Sequence, residues 1–175
     1  GKKAWEIEFK NPTPYPNTPM VSRAAPSCLA MKEYVIAFFE GGLLAAVDKG
    51  GKLIWERNLV EEFGAIEARH GLAASLESDG DSVFVWVERS DKPYILAINP
   101  STGADLWKAD GVGSTSWGSP RILPVEGGSH LVCSAIGKIV GLDPNSGKRL
   151  WEFDGIANNS SNTPIPAGKG KFLIG

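Results

Sequence analysis

The chain has 175 residues, the length of one ordinary domain, and 42% of them are hydrophobic. A formal net charge of −2 gives no electrostatic reason to bind nucleic acid, and no apolar run approaches the ~20 residues that a membrane span needs. With 21 Gly and 12 Pro, turns must be frequent and long helices scarce.

A short motif, Gly-x-x-x-Trp, occurs four times along the chain. In the last three copies an alternating apolar run precedes it, reaches Asp or Asn, and passes through Pro, Ser, Thr or Gly. Asp and Asn bond locally to the backbone and Gly accepts a positive φ angle, so each copy predicts a β-hairpin with Trp on its second strand. The motif residues are Gly1 and Trp5, Gly51 and Trp55, Gly103 and Trp107, and Gly147 and Trp151.

Further apolar runs lie upstream of each hairpin and complete a unit of four predicted strands. A sheet of four strands in roughly 45–50 residues cannot bury both faces alone, and radial packing against like sheets, as in a β-propeller, solves that problem. The upstream runs are 28–31 and 34–39 in the first unit, 72–76 and 83–87 in the second, and 120–123 and 130–136 in the third.

The repeats divide one partial propeller domain, residues 1–175, into three complete blades and parts of two others. The last part is indicated by Asn162-Thr163-Pro164, which resembles Gly118-Ser119-Pro120 at the start of the third blade. The predicted divisions are an outer strand of a preceding blade at 1–9, blades at 10–59, 60–111 and 112–155, and the start of a further blade at 156–175.

Two arrangements of the ends remain open. The chain is either a segment of a larger propeller, or residues 1–9 join the last strands as a composite blade with one strand position empty. The segment is favoured, because the composite would leave apolar sheet edges open. Such open blade edges would also allow self-association.

Residues 143–151, Asp-Pro-Asn-Ser-Gly-Lys-Arg-Leu-Trp, resemble the tryptophan motif of the pyrroloquinoline-quinone (PQQ)-like propellers, of form Ala-x-Asp-x-x-Thr-Gly-x-x-x-Trp. Residues 97–107 match best, with Asn99 in place of Asp, whereas Gly141 replaces Ala in the third unit and Gly50 replaces Thr in the first. The resemblance implies an all-β propeller of four-stranded antiparallel blades, similar to those of the BamB type. It also implies that the repeated Trp side chains are largely buried between blades and play a structural role.

The connections from an outer strand to the next inner strand, at 10–26, 59–72, 109–119 and 155–163, are predicted to form one face, where members of this family bind ligands. Trp117 lies outside the repeated Trp register and is predicted to contact a partner, although packing beneath its own loop is the alternative. Arg69 and His70, with Glu67, could form an acid–base or anion-binding cluster or a solvated, salt-bridged loop. The other candidate interaction residues are Tyr15, Asn158, Asn159 and Asn162.

The resemblance leaves two functions open. The favoured one is a non-catalytic scaffold that binds another protein in the periplasm or otherwise outside the cytoplasm, with no catalytic residue, metal or cofactor. The alternative is part of a PQQ-dependent quinoprotein oxidoreductase, an alcohol or sugar dehydrogenase with PQQ and calcium. Dehydrogenases of the eight-bladed type show adjacent cysteines beside the cofactor, whereas Cys28 and Cys133 are far apart in this sequence. They are predicted to be two separate buried thiols, with a disulfide as the alternative.

Overall fold

A computed structural model describes residues 1–10, 24–66, 68, 72–89, 91–114, 117–156 and 162–174. Within these residues the chain forms three four-stranded antiparallel sheets and one two-stranded antiparallel sheet. In each four-stranded sheet the strands are neighbours in chain order, so every sheet is a meander of the kind that makes a propeller blade. The predicted all-β architecture of four-stranded blades is confirmed.

The blades follow one another along the chain, and one short helix follows the first. The first blade contains β1 (Leu29–Ala30), β2 (Tyr34–Phe38), β3 (Leu43–Asp48) and β4 (Leu53–Asn58), and helix α1 (Leu59–Phe63) comes next. The second contains β5 (Glu77–Ser78), β6 (Val83–Val87), β7 (Tyr94–Ile98) and β8 (Asp105–Asp110). The third contains β9 (Arg121–Val125), β10 (Gly128–Ala135), β11 (Lys138–Leu142) and β12 (Arg149–Asp154), and the two-stranded sheet contains β13 (Ile165–Gly168) and β14 (Lys171–Leu173).

The core lies in the middle strands of the blades. Every residue of β6 and β7 is buried, and both strands consist largely of β-branched and aromatic residues, which suit a strand covered on both faces. In the fourth strand of each blade at least half of the residues are exposed and none is buried. Each fourth strand is therefore the rim of its blade, and the apolar interior runs from one pair of middle strands to the next.

The turns between third and fourth strands use the chemistry that the sequence predicts. In the third blade the Asp143 carboxylate accepts hydrogen bonds from the Asn145 backbone N–H at 2.9 Å and from the Ser146 hydroxyl at 2.8 Å. The hydrogen bond from Asn145 has the larger effect and that from Ser146 the smaller, and together they hold the pKa of Asp143 below its usual range. Gly147 closes the turn at a φ of 69°, in the left-handed region that glycine tolerates.

The second blade departs from the predicted strand positions. Residues 72–76 were expected to be its first strand, but the strand begins only at Glu77. Leu72, Ala74 and Leu76 are buried as an inner strand would be, yet the Ser75 backbone N–H donates to the Ser119 hydroxyl of the next blade instead of to a strand of its own sheet. Residues 72–76 therefore cross from one blade to the next. The apolar pattern in the sequence does not distinguish such a crossing segment from a strand.

The amino-terminal outer strand predicted at residues 1–9 is also absent, since these residues belong to no sheet of the described chain. A strand requires a hydrogen-bonded neighbour, and none of the described strands is paired with this segment. Trp5 nevertheless rests on the turn of the first blade, where its indole N–H donates to the Lys49 carbonyl at 3.0 Å. The side chain keeps its contact without the strand.

The two cysteines occupy different environments. Both are free thiols, as predicted, and Cys133 is buried in β10, where burial raises the pKa of its thiol. Cys28 is exposed, so the expectation of two buried thiols is wrong for this residue. It lies next to the short strand β1, which covers little of the residues before it. No helix in the described part of the chain is long and apolar enough to cross a membrane.

Candidate functional site

The antiparallel order of the strands divides the connections between two faces of the blades. The connections β2–β3 and β4–β5, with their counterparts in the later blades, leave the sheets at one end, which we call the loop face. The β1–β2 and β3–β4 hairpins and their counterparts leave at the opposite end. Trp117 follows the fourth strand β8 and Asn162 follows the fourth strand β12, so both belong to the loop face.

The repeated tryptophans connect each blade to the next one. The indole N–H of Trp55 donates to the Pro100 carbonyl at 2.8 Å, and that of Trp107 donates to the Pro144 carbonyl at 2.9 Å. Their rings lie so close to the following turns that a Cβ added to Gly103 would be 2.8 Å from the Trp55 ring. Trp55, Trp107 and Trp151 are mostly buried, and a minor part of each residue stays in contact with water.

A second connection between blades was missed by sequence reasoning. The Ser27 backbone N–H donates to the Ser75 hydroxyl at 3.0 Å, that of Ser75 to the Ser119 hydroxyl at 2.9 Å, and that of Ser119 to the Thr163 hydroxyl at 3.0 Å. Each of these residues stands two positions before the first strand of its sheet. We call this series the hydroxyl ladder. Its signal in the sequence is the spacing of 48, 44 and 44 residues between hydroxyl side chains.

The hydroxyl ladder runs along the loop-face ends of the first strands. β9 contacts both β5 and β13, the first strands of the neighbouring sheets. Glu77 of β5 and Arg121 of β9 add an ion pair of 3.2 Å between them. First strands that touch are expected where radial sheets converge, so this edge faces the propeller axis. The hydroxyl ladder and this ion pair therefore join neighbouring blades to one another beside the axis, at the loop face.

Trp117 is held on the loop face in a strained conformation. Its side chain is 46% exposed, and its φ of 77° lies in the left-handed region, which costs a bulky residue on the order of 1–3 kcal/mol. The next two residues are fixed, because a Cβ on Gly118 would lie 3.1 Å from the Asn162 carbonyl oxygen and Ser119 belongs to the hydroxyl ladder. A rigid support thus presents an aromatic side chain to solvent.

The structure brings together two of the predicted interaction residues, Trp117 and Asn162, through the backbone contact at Gly118. The predicted packing of Trp117 beneath its own loop does not describe a side chain with 46% of its surface exposed. The remaining candidate residues lie outside the described part of the chain: Tyr15, Arg69, His70, Asn158 and Asn159, as does Glu67.

Acidic residues stand at matching positions on the loop face of the first two blades. Glu40 and Glu88 each lie two residues after an aromatic side chain of the second strand, Phe38 and Trp86. Glu40 is only 1% exposed. Burial raises the pKa of Glu88 to about 7, so its carboxyl group is close to half-protonated at neutral pH. The Glu88 carboxyl can therefore donate or accept a proton at the face; neither Glu40 nor Glu88 stood out in the sequence.

Helix α1 is locked between the first two blades by arginines. Arg57 pairs with Glu62 of the helix and, at 2.6 Å, with Asp105 of the second blade, and these partners raise the pKa of its guanidinium. Arg89 donates to the Phe63 carbonyl at the end of the helix. The sequence signal for the helix was Asn58 followed by two glutamates, since the Asn58 side chain accepts from the Val60 and Glu61 N–H groups as an N-cap.

Among the residues that the structure describes, no three His, Cys, Asp or Glu side chains are grouped so that they could hold a metal ion. Cys28 and Cys133 are separate thiols, one exposed and one buried in the core, and so do not supply adjacent sulfurs beside a cofactor. The described part of the loop face offers instead an exposed aromatic ring, partly buried carboxyls and paired arginines.

Comparisons with known proteins agree on the fold of this chain. Residues 91–173 match a family model described as outer membrane protein assembly factor BamB. The structure of BamB from Moraxella catarrhalis is similar over 89% of this chain, with 20% sequence identity and a TM-score of 0.62. The quinohemoprotein alcohol dehydrogenase of Comamonas testosteroni matches 91% of the chain with 15% identity and a TM-score of 0.55. A europium-containing methanol dehydrogenase matches 73% with 13% identity and a TM-score of 0.54.

The chain spans only part of these similar proteins: 42% of the BamB structure, 34% of the alcohol dehydrogenase and 31% of the methanol dehydrogenase. At these identities the likeness to solved structures establishes the fold alone. A comparison with curated protein sequences finds no match.

Proposed function

Because the chain is built from PQQ-like β-propeller repeats similar to those of BamB-type proteins, we propose that it is a non-catalytic scaffold that binds another protein through its loop face. The observation that carries this proposal is Trp117. An indole that is 46% exposed, in a backbone conformation that costs energy, is unusual unless it serves a contact.

The physical chemistry of interfaces supports Trp117 as the anchor. Tryptophan is enriched among the few residues that supply most of the binding energy of protein complexes, since it buries a large apolar area at a small loss of conformational freedom. The hydroxyl ladder and Gly118 fix the backbone beneath it, so little ordering would be lost when a partner binds.

The family description suggests the kind of partner and compartment. The matching model is described as an outer membrane protein assembly factor, and a protein of that kind acts on other proteins outside the cytoplasm. We therefore place this chain outside the cytoplasm, in the periplasm if its cell has an outer membrane. The proposed partner is a protein, not a nucleic acid, in keeping with a net charge of −2.

Site-specific crosslinking tests the proposal. The photo-crosslinking amino acid benzoylphenylalanine replaces Trp117 in the protein as the host cell makes it, and the cells are irradiated. The expected result is one discrete adduct of higher mass, whose second component is identified by mass spectrometry as the same protein in replicate experiments.

The matched control carries the crosslinker at Asn145, an exposed residue in a turn at the opposite end of the blade. The Asn145 variant should give no such adduct, and Trp117→Ala should weaken the interaction by at least tenfold while the melting temperature stays within a few degrees. Equal adducts from both positions, or none from Trp117, would contradict binding through the loop face.

The alternative function, part of a PQQ-dependent oxidoreductase, draws support from the likeness to two dehydrogenases. The experiment that separates it from the scaffold is a titration of the full-length protein with PQQ and calcium, followed by quinone absorbance and thermal unfolding. The scaffold proposal expects neither saturable binding nor a shift in melting temperature. A stoichiometric complex with a raised melting temperature would overturn it in favour of the enzyme.

A further inference from the structure

Glu88 is a half-buried carboxyl group at the loop-face end of β6. Burial alone raises the pKa of this group to about 7, and it forms no ion pair with any residue in the described part of the chain. A carboxyl group in such a place has lost part of its hydration without gaining a partner. Ionisable groups perturbed in this way are concentrated at binding sites.

The repeat distinguishes Glu88 from its counterparts in the other blades. The equivalent residue lies four positions after the second-strand residue that faces the Ala or Gly opposite the repeated Trp, and it is Glu40 in the first blade and Ile136 in the third. Glu40 is almost completely buried, and Ile136 carries no charge. Of these three equivalent residues, Glu88 is therefore the carboxyl group that another molecule can reach.

The cations around Glu88 are turned to other groups. Arg89, the next residue, pairs with Asp91 at 3.1 Å, and Lys138 of β11 pairs with Glu152 at 3.4 Å. The other charged side chains of this part of the face are Lys92 and Asp154, which are exposed, Lys108 and Asp110, which pair with each other, and Arg149, which also pairs with Glu152. Since only burial shifts the pKa of Glu88, none of these cations neutralises it. A counter-charge for this carboxylate has to come from another molecule.

Glu88 and Trp117 lie on the same part of the loop face, at the junction of the second and third blades. The Ser114 hydroxyl donates to the carbonyl of Arg89, the residue after Glu88, at 3.3 Å. Trp117 follows Ser114 by three residues, so the two Cα atoms are at most about 11 Å apart. An extended segment of a partner advances about 3.3 Å per residue, and a few residues of it can contact both side chains.

The two side chains together specify the chemistry of such a segment. The Glu88 carboxylate pairs with an ammonium or a guanidinium group, and the exposed indole of Trp117 accepts either an apolar side chain or a cation over its face. Lysine and arginine carry an apolar stem and a charged head, so they suit a surface on which a carboxylate and an indole are neighbours.

We propose that the segment of the partner that docks on the loop face is basic, that one of its lysines or arginines pairs with Glu88, and that the residues beside it pack on Trp117. This inference rests on the function proposed above, since it names the chemistry of the partner at the same face. Because Glu88 is already partly desolvated in the free protein, pairing it costs less hydration than pairing a fully exposed carboxylate.

Proton release measures the proposed ion pair directly. A cation beside Glu88 lowers the pKa of the carboxyl group below about 7, so binding at pH 7 should release about half a proton per complex. Affinity should accordingly rise about tenfold between pH 6 and pH 8, as the carboxyl group of the free protein ionises. Calorimetry of the chain with the partner identified by crosslinking, in two buffers of different ionisation enthalpy, gives the number of protons. Glu88→Gln should remove this release and flatten the pH dependence.

A charge exchange tests the same pair in cells, with benzoylphenylalanine at position 117 and adduct yield as the readout. Glu88→Lys should lower the yield at least fivefold, and so should glutamate in place of the partner's basic residue nearest the crosslink. The two changes together should restore most of the yield. Glu88→Gln, which keeps the shape of the side chain, should lower the yield about threefold or more if Glu88→Lys does not fold. The matched control is Glu126→Lys, at an exposed carboxyl group in the β9–β10 turn at the opposite end of the blade, and it should change nothing.

The outcomes separate this inference from the function on which it rests. A discrete adduct that Glu88→Gln and Glu88→Lys leave undiminished would overturn the basic segment while binding through the loop face stands. The same holds for a crosslinked partner segment without lysine or arginine, or for proton release that persists in Glu88→Gln. No adduct from position 117 in the otherwise natural chain would overturn both.

Discussion

Replacing Trp107 by Ala is expected to lower the free energy of unfolding by about 3 kcal/mol, at the lower end of the range for core tryptophans because the residue is not fully buried. The substitution removes the hydrogen bond to the Pro144 carbonyl and the contact with Phe84, at 5.8 Å between ring centroids. It also opens a space above Gly147, whose added Cβ would lie 2.5 Å from the ring. Urea unfolding followed by circular dichroism measures the loss.

Leu106→Ala is the control for this change, because Leu106 is the preceding residue on β8 and 52% of its surface is exposed. Leu106→Ala should lower the free energy of unfolding by less than about 1 kcal/mol, as for exposed apolar side chains in general. Similar losses for the two variants would mean that Trp107 is a rim residue without a role in joining blades.

Gly103→Ala is expected to lower the free energy of unfolding by about 2–4 kcal/mol, through two effects that add. The backbone φ of 72° disfavours any residue with a Cβ. The new methyl group would also lie 2.8 Å from the Trp55 ring, which would have to leave the turn and give up its hydrogen bond to Pro100. Thermal unfolding of the two proteins side by side measures the difference.

Gly127→Ala separates the two effects. Gly127 also has a positive φ, of 84°, but an added Cβ would meet no atom within 4 Å. Gly127→Ala should therefore lower the free energy of unfolding only by the backbone effect, about 1 kcal/mol. In a Trp55→Ala background the cost of Gly103→Ala should fall to the same value, since the ring is gone. Strict additivity of Gly103→Ala and Trp55→Ala would show that the ring and the turn do not interact.

The blades could be predicted from the sequence because their signals are local. Asp143 and Gly147 determine a turn by their own side-chain and backbone chemistry, and the buried run of β6 is continuous in the sequence. The start of β5 could not be placed in this way. An apolar run predicts burial, but whether it pairs in a sheet depends on where its N–H groups donate, and that of Ser75 donates to the next blade.

The site was less predictable than the blades for the same reason. Trp117 stood out only because it fell outside the repeat, while its strained φ and the contacts of Gly118 and Ser119 with residues far along the chain became visible only in the structure.

The hydroxyl ladder bears on how such a propeller changes in evolution. Each link uses the same backbone donor and the same kind of acceptor, two residues before a first strand, and the next link repeats this one blade later. A duplicated or deleted repeat of the gene would insert or remove one complete link, and the remaining links would still match their neighbours. Blade number can therefore change by unequal recombination without a compensating mutation at the axis.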